Sequence, residues 1–222
     1  MGVLMITFSA PEGGQLQNEA PEKPIRLPEP RYDSATSVEK ALLQRRSIRN
    51  YAAKSLTLAE VSQLLWAAQG ITESGEGLRT APSAGALYPL EVYVAAGNVQ
   101  DLAAGLYHYR PGAHELQKIA AGDVRQALSS AALGQDCVEE GAAVFVISAV
   151  YERTARKYGD RSSRYVPMEA GHAAQNIYLQ ATALNLGTVV AGAFRDDAVK
   201  RAMGLPVEEE PLYLMPVGHP EK

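Results

Sequence analysis

The chain has 222 residues, 46% hydrophobic and 21% charged, with a formal net charge of −4. That balance is typical of a water-soluble globular protein with room for a substantial core. The mild acidity argues against nucleic acid or an anionic membrane as the main partner, and a single cysteine, Cys137, excludes an intrachain disulfide framework and a cysteine-rich zinc site.

At the start of the chain, Val3-Leu4-Met5-Ile6 is apolar. It is too short for a signal h-region and has no basic flank. No run approaches the ~20 apolar residues of a membrane-spanning helix. The chain is therefore read as soluble and cytoplasmic, with no membrane partner. Residues 1–36 carry Pro11, Pro21, Pro24, Pro28 and Pro30 with little periodicity, the pattern of an extended arm. The remainder, 37–222, reads as one domain.

The domain opens at Thr36-Ser37, a cap ahead of a helix through Val38, Leu42 and Leu43. That helix runs into Arg45-Arg46-Ser47-Ile48-Arg49. Three arginines within five residues, two of them four apart, repel one another on a helix. An anion such as phosphate between the guanidinium forks would relieve that repulsion. The alternative is an ordinary cationic helix end complementing the macrodipole.

Thr57-Leu58-Ala59-Glu60 is a capping box, followed by Leu58, Val61, Leu64, Leu65 and Ala68 at helical spacing and a stop at Gly70. Trp66 flanks that apolar face as a packing anchor. Residues 72–90 read as a loop rich in Gly, Ser and Pro. A strand is predicted over 91–96, a hairpin from 105–109 and 115–119 around Arg110-Pro111-Gly112, and a helix over 123–133. The run 142–150 is continuously β-prone, which marks a strand buried on both faces. A long helix follows over 169–186, with Ala173, Ile177, Ala181 and Leu184 on one stripe. A strand over 187–194, a short helix over 196–203 and a last strand over 212–217 complete the chain. Interleaved helices and strands without a regular βαβ repeat predict an α+β domain with a mixed, mainly antiparallel sheet.

For chemistry, the four histidines form no H-E-x-x-H pattern and no Cys/His knot, so no metal site is expected. Ala81-Pro82-Ser83-Ala84-Gly85 lacks the first glycine of a nucleophile elbow and precedes its strand. A triad of Ser83, His172 and Asp160 can be drawn, yet nothing in the sequence places the three together. There is no G-x-G-x-x-G after a strand and no Walker A lysine. What is left is an arginine–serine anion site and a small-residue loop around Ser83-Ala84-Gly85, whose backbone can approach a flat ligand.

Four stretches, taken in order, resemble the nitroreductase superfamily of flavin enzymes, and within it the SagB-type, or thiazoline/oxazoline-dehydrogenase, branch. They are Arg45-Arg46-Ser47-Ile48-Arg49-Asn50-Tyr51; Pro82-Ser83-Ala84-Gly85-Ala86-Leu87-Tyr88-Pro89-Leu90-Glu91; Tyr165 through Glu169-Ala170-Gly171-His172-Ala173-Ala174-Gln175-Asn176; and Leu186-Gly187 to Gly192-Ala193-Phe194 with Pro216-Val217-Gly218. The likeness spans residues 37–219.

The resemblance implies an intertwined homodimer with FMN at its interface. It implies that Arg45, Ser47 and Arg49, with Arg46 alongside, hold the FMN phosphate and ribityl chain, and that Pro82, Ser83, Ala84 and Gly85 reach the flavin of the other subunit. Gln135 would lie near the isoalloxazine edge, and Gly192 and Ala193 would offer backbone contacts on its N5 side. The long helix would form much of the dimer interface. Many relatives carry an arginine or lysine after the final strand; here His219 or Lys222 would take that role.

In the SagB-type branch a Lys-Tyr pair acts at the substrate carbon, and Lys157-Tyr158 matches it. On the residues alone these two are equally a solvated charge and a packed ring on a loop. The implied activity is hydride transfer through flavin N5 from a donor such as NAD(P)H to a small organic acceptor. The alternatives are oxidation of azoline rings in a modified peptide, and flavin storage without turnover.

Overall fold

A computed structural model describes residues 23–221. The expectations for the first 22 residues, and for Lys222, lie outside them. In chain order the elements are β1 (Ile25–Arg26), α1 (Val38–Gln44), α2 (Leu58–Gln69), β2 (Ile71–Glu73), β3 (Leu78–Arg79), a 3₁₀ turn (Ala84–Ala86), β4 (Leu90–Ala96), β5 (Gly105–Arg110) and β6 (Glu115–Ala121). There follow α3 (Arg125–Ala131), α4 (Asp136–Glu140), β7 (Ala143–Val150), α5 (Tyr151–Tyr158), a second 3₁₀ turn (Gly159–Arg161), α6 (Ser162–Ala183), β8 (Gly187–Thr188), α7 (Asp196–Met203) and β9 (Glu209–Gly218).

Seven strands form one sheet in the order β1-β6-β5-β4-β7-β9-β8, every pairing antiparallel. Inside it, between β4 and β9, runs β7, the run predicted to be buried on both faces. Alternation sends Phe145 and Ile147 into one core with Val61, Leu64 and Leu65 of α2 and Val166, Ala173 and Ile177 of α6. The intervening Val144 and Val146 enter a second core with Leu128 of α3, Val138 of α4, and Val199 and Met203 of α7. The sheet is thus covered by helices on both faces, the layered α+β arrangement expected.

The local signals act as read. Ser37 caps α1 through its hydroxyl, and Thr57 and Glu60 form the reciprocal capping box of α2. Trp66 is half-buried, edge-on to Tyr32 at 5.5 Å.

Five expectations need correction. α1 ends at Gln44 with Arg45 as its C-cap, so Arg45 and Arg49 are not neighbours on a helix. Residues 72–90 are not all loop, because β2 and β3 pair within them. Lys157 and Tyr158 lie on the last turn of α5, not on a loop. α6 begins at Ser162 and takes Pro167 into its second turn, where the proline forgoes a single bond to the carbonyl four residues back. The strand over 187–194 shrinks to Gly187–Thr188; beyond it the chain meets β9 only at an isolated Ala191–Leu214 bridge.

The described part of the arm is fastened by one histidine. His114 Nε2 lies 3.0 Å from the Pro28 carbonyl and 2.8 Å from Ser62 Oγ, while Nδ1 lies 2.9 Å from the Tyr109 hydroxyl. A neutral ring donating to Pro28 and accepting from Tyr109 satisfies both ends. Burial lowers the His114 pKa from its ordinary 6.5, against the Pro28 carbonyl and Glu29, which favour the cation. The unfolded chain therefore binds the proton first. Stability contributed by the neutral ring is complete above pH 6.5 and is lost as pH falls through the lowered folded-state value. A melting-temperature series from pH 7.5 to 5 is expected to fall over that window in the wild type, and a His114→Gln variant to flatten it.

Candidate active site

The arginine stretch leaves α1 in extended form. Ser47 bridges Thr188 of β8, and the Ile48 amide donates to the Thr188 carbonyl at 2.9 Å. Extended backbone alternates its side chains. Ile48 therefore turns inward, where it packs so closely on Gly187 that a Cβ there would sit 2.6 Å from Ile48 Cγ2. Arg45 and Ser47 meet Tyr178 of α6, whereas Arg49 lines a cavity with Gln135 and Cys137.

Arg46 is spent locally, with Nη1 donating to the carbonyls of Leu43 and Arg45. The Arg45 guanidinium lies over the Tyr178 ring at 5.1 Å, and neither Arg45 nor Arg49 forms an ion pair with a carboxylate of the described residues. Tyr178, on α6, holds the stretch in place. Its hydroxyl lies 3.0 Å from Ser47 Oγ and accepts from the Val190 amide at 2.8 Å. Arg49 and Asn50 face a cavity of about 370 Å³ lined also by Gln135, Asp136, Cys137 and Glu140. Burial raises the Cys137 pKa, with Arg49 opposing, so the thiol is not set up as a nucleophile.

Gln135 Nε2 donates at 2.9 Å to the carbonyls of Ala132 and Ala193. That bond joins Gln135 to the exposed Gly192–Ala193 segment. Arg45, Ser47, Arg49, Gln135, Gly192 and Ala193 thus follow one tract along residues 187–194. Two buried polar atoms beside it, Thr188 Oγ1 and His219 Nε2, have no hydrogen-bond partner among the described residues. Free guanidinium groups, a hydroxyl and exposed backbone fit an elongated anionic ligand with a flat, polar-edged end.

The second group lies around Gly85. Pro82 and Gly85 are exposed. Ser83 Oγ accepts from the Tyr88 amide, and the Ala84 amide donates to Glu169 Oε1 of α6, both at 2.9 Å. Ser83 Oγ thus serves its own loop, and no hydrogen bond joins it to His172 among the described residues. At Gly85, where φ is +64°, a Cβ would sit 2.9 Å from both Lys157 Nζ and the Tyr158 hydroxyl. The structure thus brings the Pro82–Gly85 loop and the Lys157–Tyr158 pair together. Tyr158 is held edge-on against Tyr165 at 5.3 Å.

Sequence reasoning gave no role to Tyr178 or Glu169, the two α6 residues that hold these groups, because neither stands out from its helical neighbours by type. They are nine positions apart, which places them roughly 14 Å apart along the helix and about half a turn apart around it. The tract and the Gly85 group therefore sit against opposite sides of α6. On α1, Val38, Leu42 and Leu43 are 64%, 53% and 75% exposed, an apolar surface unusual for a lone chain. No cluster of potential metal ligands occurs among the described residues, and none of their helices is long and apolar enough to cross a membrane.

Comparison with known proteins places the chain in a family. A family model described as "Nitroreductase family" matches residues 42–219. MJ1384 of Methanocaldococcus jannaschii, named as a nitroreductase, is 48% identical over 181 residues, covering 82% of this chain and 90% of that protein. A crystal structure from Ralstonia eutropha, described as a nitroreductase, superposes with a TM-score of 0.80 at 33% identity, over 90% of this chain and 91% of that one. A chain of the E. coli microcin synthetase McbBCD complex, solved with truncated pro-MccB17 bound, gives 0.69 at 26% identity, over 98% and 85%. The chain spans only 58% and 57% of two further curated relatives.

Proposed function

The chain belongs to the nitroreductase family, and from that premise we propose that it is an FMN-dependent oxidoreductase working as a homodimer. The observation that carries the reading is the tract of Arg45, Ser47 and Arg49 beside residues 187–194, with two guanidinium groups not paired to any carboxylate of the described residues. Arg45, Ser47 and Arg49 would hold the phosphate by charge-assisted hydrogen bonds. Gln135 and the Gly192–Ala193 backbone would border the ring. Pro82–Gly85 of a second copy would close the site, since in one chain that loop lies across α6 from the tract. When bound, FMN supplies the two-electron chemistry, hydride uptake and release at N5.

In the general reading the donor is NADH or NADPH and the acceptor a small organic molecule, and this chain's residues need only bind, orient and exclude water. An anaerobic screen of NADH, NADPH and organic donors, followed by flavin bleaching, tests it. A purified protein that is colourless and takes up no added FMN overturns it.

A second reading is favoured by the Lys157 and Tyr158 groups at Gly85. It is that of an azoline dehydrogenase, in which ring oxidation removes a hydride and a proton, and an amine or phenolate beside the ring takes the proton. The likeness to a chain of a peptide-bound microcin synthetase supports it. Lys157→Ala separates the readings. It is expected to abolish oxidation of a thiazoline-containing peptide while sparing NAD(P)H-driven nitroaromatic reduction, which needs no base. Survival of both activities makes Lys157 structural.

A further inference from the structure

The Lys157–Tyr158 end of α5 is tied to the neighbouring loop by Arg153. Arg153 lies one helical turn before Lys157, on the same side of α5. Its Nη1 donates to the Tyr88 carbonyl at 3.1 Å, and its Nη2 pairs with Glu91 Oε1.

The first acceptor lies in the loop that carries Gly85, and the second on β4 just after it. That loop is strained: Gly85, Ala86 and Tyr88 have φ of +64°, +54° and +45°, and two of the three are not glycine. Side chains in the left-handed region persist only where surrounding contacts hold them there. Tyr88 is held from three sides. Its amide donates to Ser83 Oγ at 2.9 Å, its hydroxyl accepts from the Arg79 amide at 3.2 Å with the Arg79 guanidinium 4.5 Å over its ring, and its carbonyl takes Arg153.

Glu91 is anchored in turn. Its Oε2 lies 2.7 Å from His108 Nε2. The His108 ring stacks on Tyr93 at 4.6 Å, and the Tyr93 hydroxyl lies 3.0 Å from both oxygens of buried Glu209, which also accepts from Ser148 at 2.7 Å. The contact therefore runs from α5 through the loop into the middle of the sheet. Glu91 is a charge shared between α5 and β5, held by two cationic or polar partners. Burial alone would raise its pKa, yet His108 and Arg153 outweigh burial and leave it below the ordinary value.

We infer that Arg153 is a positioning residue that locks the strained 84–88 loop and the Lys157–Tyr158 end of α5 into a single unit, setting where those two groups face a substrate. This rests on the azoline reading above. The fork geometry explains why arginine stands here: one planar group spans a backbone carbonyl and a carboxylate at once, which an ammonium does not reproduce. Without that fork the 84–88 loop and the Lys157–Tyr158 end of α5 lose the one side chain that bonds to both Tyr88 and Glu91 from α5.

The test uses the full-length chain with Arg153→Gln, Arg153→Lys and Lys157→Ala. Two quantities are read: hydrogen exchange of peptides covering 82–91 and 151–158, and kcat and KM for a thiazoline-containing peptide. Arg153→Gln is expected to speed exchange in both segments together and leave that of α3 and α7 unchanged. It should also lower kcat on the order of tenfold to a hundredfold, the cost of a misplaced reacting group, with KM little altered. Arg153→Lys recovers part of kcat. Unchanged exchange in the two segments overturns the inference, and so does faster exchange with kcat intact, which makes Arg153 merely structural. Loss of activity in Lys157→Ala beside full activity in Arg153→Gln sinks the inference alone. A wild type without azoline oxidation, or a Lys157→Ala variant that keeps it, sinks the underlying reading and the inference with it.

Discussion

An Arg45→Gln/Arg49→Gln double variant is expected to purify colourless and to bind added FMN two to four orders of magnitude more weakly than the wild type. Hydrogen bonds from an ionised group contribute about 1.5–3 kcal/mol each, and two lost together give about 3–6 kcal/mol, roughly 10²- to 10⁴-fold in Kd. Folding should be nearly untouched. Neither guanidinium forms an ion pair among the described residues, and Arg45 forfeits its place over the Tyr178 ring, worth about 0.5–1 kcal/mol at an exposed site. Arg46 is the internal control. Its guanidinium already serves two backbone carbonyls at the end of α1, so Arg46→Gln should weaken that helix end more than it weakens FMN. Flavin absorbance after desalting, with fluorescence titration for Kd, reads the outcome. Stoichiometric flavin in the double variant would remove the tract from the cofactor site.

The other large effect belongs to Gly85→Val. The position combines a φ of +64° with a Cβ direction that ends 2.9 Å from Lys157 Nζ and from the Tyr158 hydroxyl. Left-handed backbone costs a β-branched residue of order 1–2 kcal/mol, which a thermal melt will show. The functional loss should be larger. Lys157 has a flexible end and swings aside, whereas Tyr158 is braced against Tyr165 and can yield only by shifting the end of α5. A displacement of about 1 Å costs on the order of a hundredfold in rate. Gly85→Val is therefore expected to lose about that factor in kcat for azoline oxidation while keeping its flavin. A variant with native kcat would show that the loop does not set the geometry of the pair.

The fold was readable where one physical rule dominated locally. Thr57 and Glu60 announced α2 because a reciprocal cap needs those two types at that spacing, and residues 142–150 announced an inner strand because only burial on both faces tolerates so continuous an apolar run. Legibility failed where tertiary contacts decide. Residues 187–194 have the composition of a strand, yet most of them are held without a ladder; Val190, for example, donates its amide to the Tyr178 hydroxyl. α5 was missed because Arg153, Arg156 and Lys157 spread charge along it and Pro167 follows soon after, so its helical period carries little apolar signal. At the candidate site, the arginines and the Gly85 loop stood out by type. The partners that orient them, Tyr178, Glu169 and Arg153, were not, because a tyrosine, a glutamate or an arginine on a helix has no signature until the neighbouring segment is in place.

Glu169 and Tyr178 project from opposite sides of one rod, α6, which is 22 residues and thus about 33 Å long. With the composite site proposed above, each copy of α6 underpins one half of two different sites. Cofactor loading and self-association then become a single linked equilibrium: whatever occupies the site draws the copies together, and whatever separates the copies empties the site. For such a protein an FMN affinity has meaning only alongside the protein concentration at which it was measured.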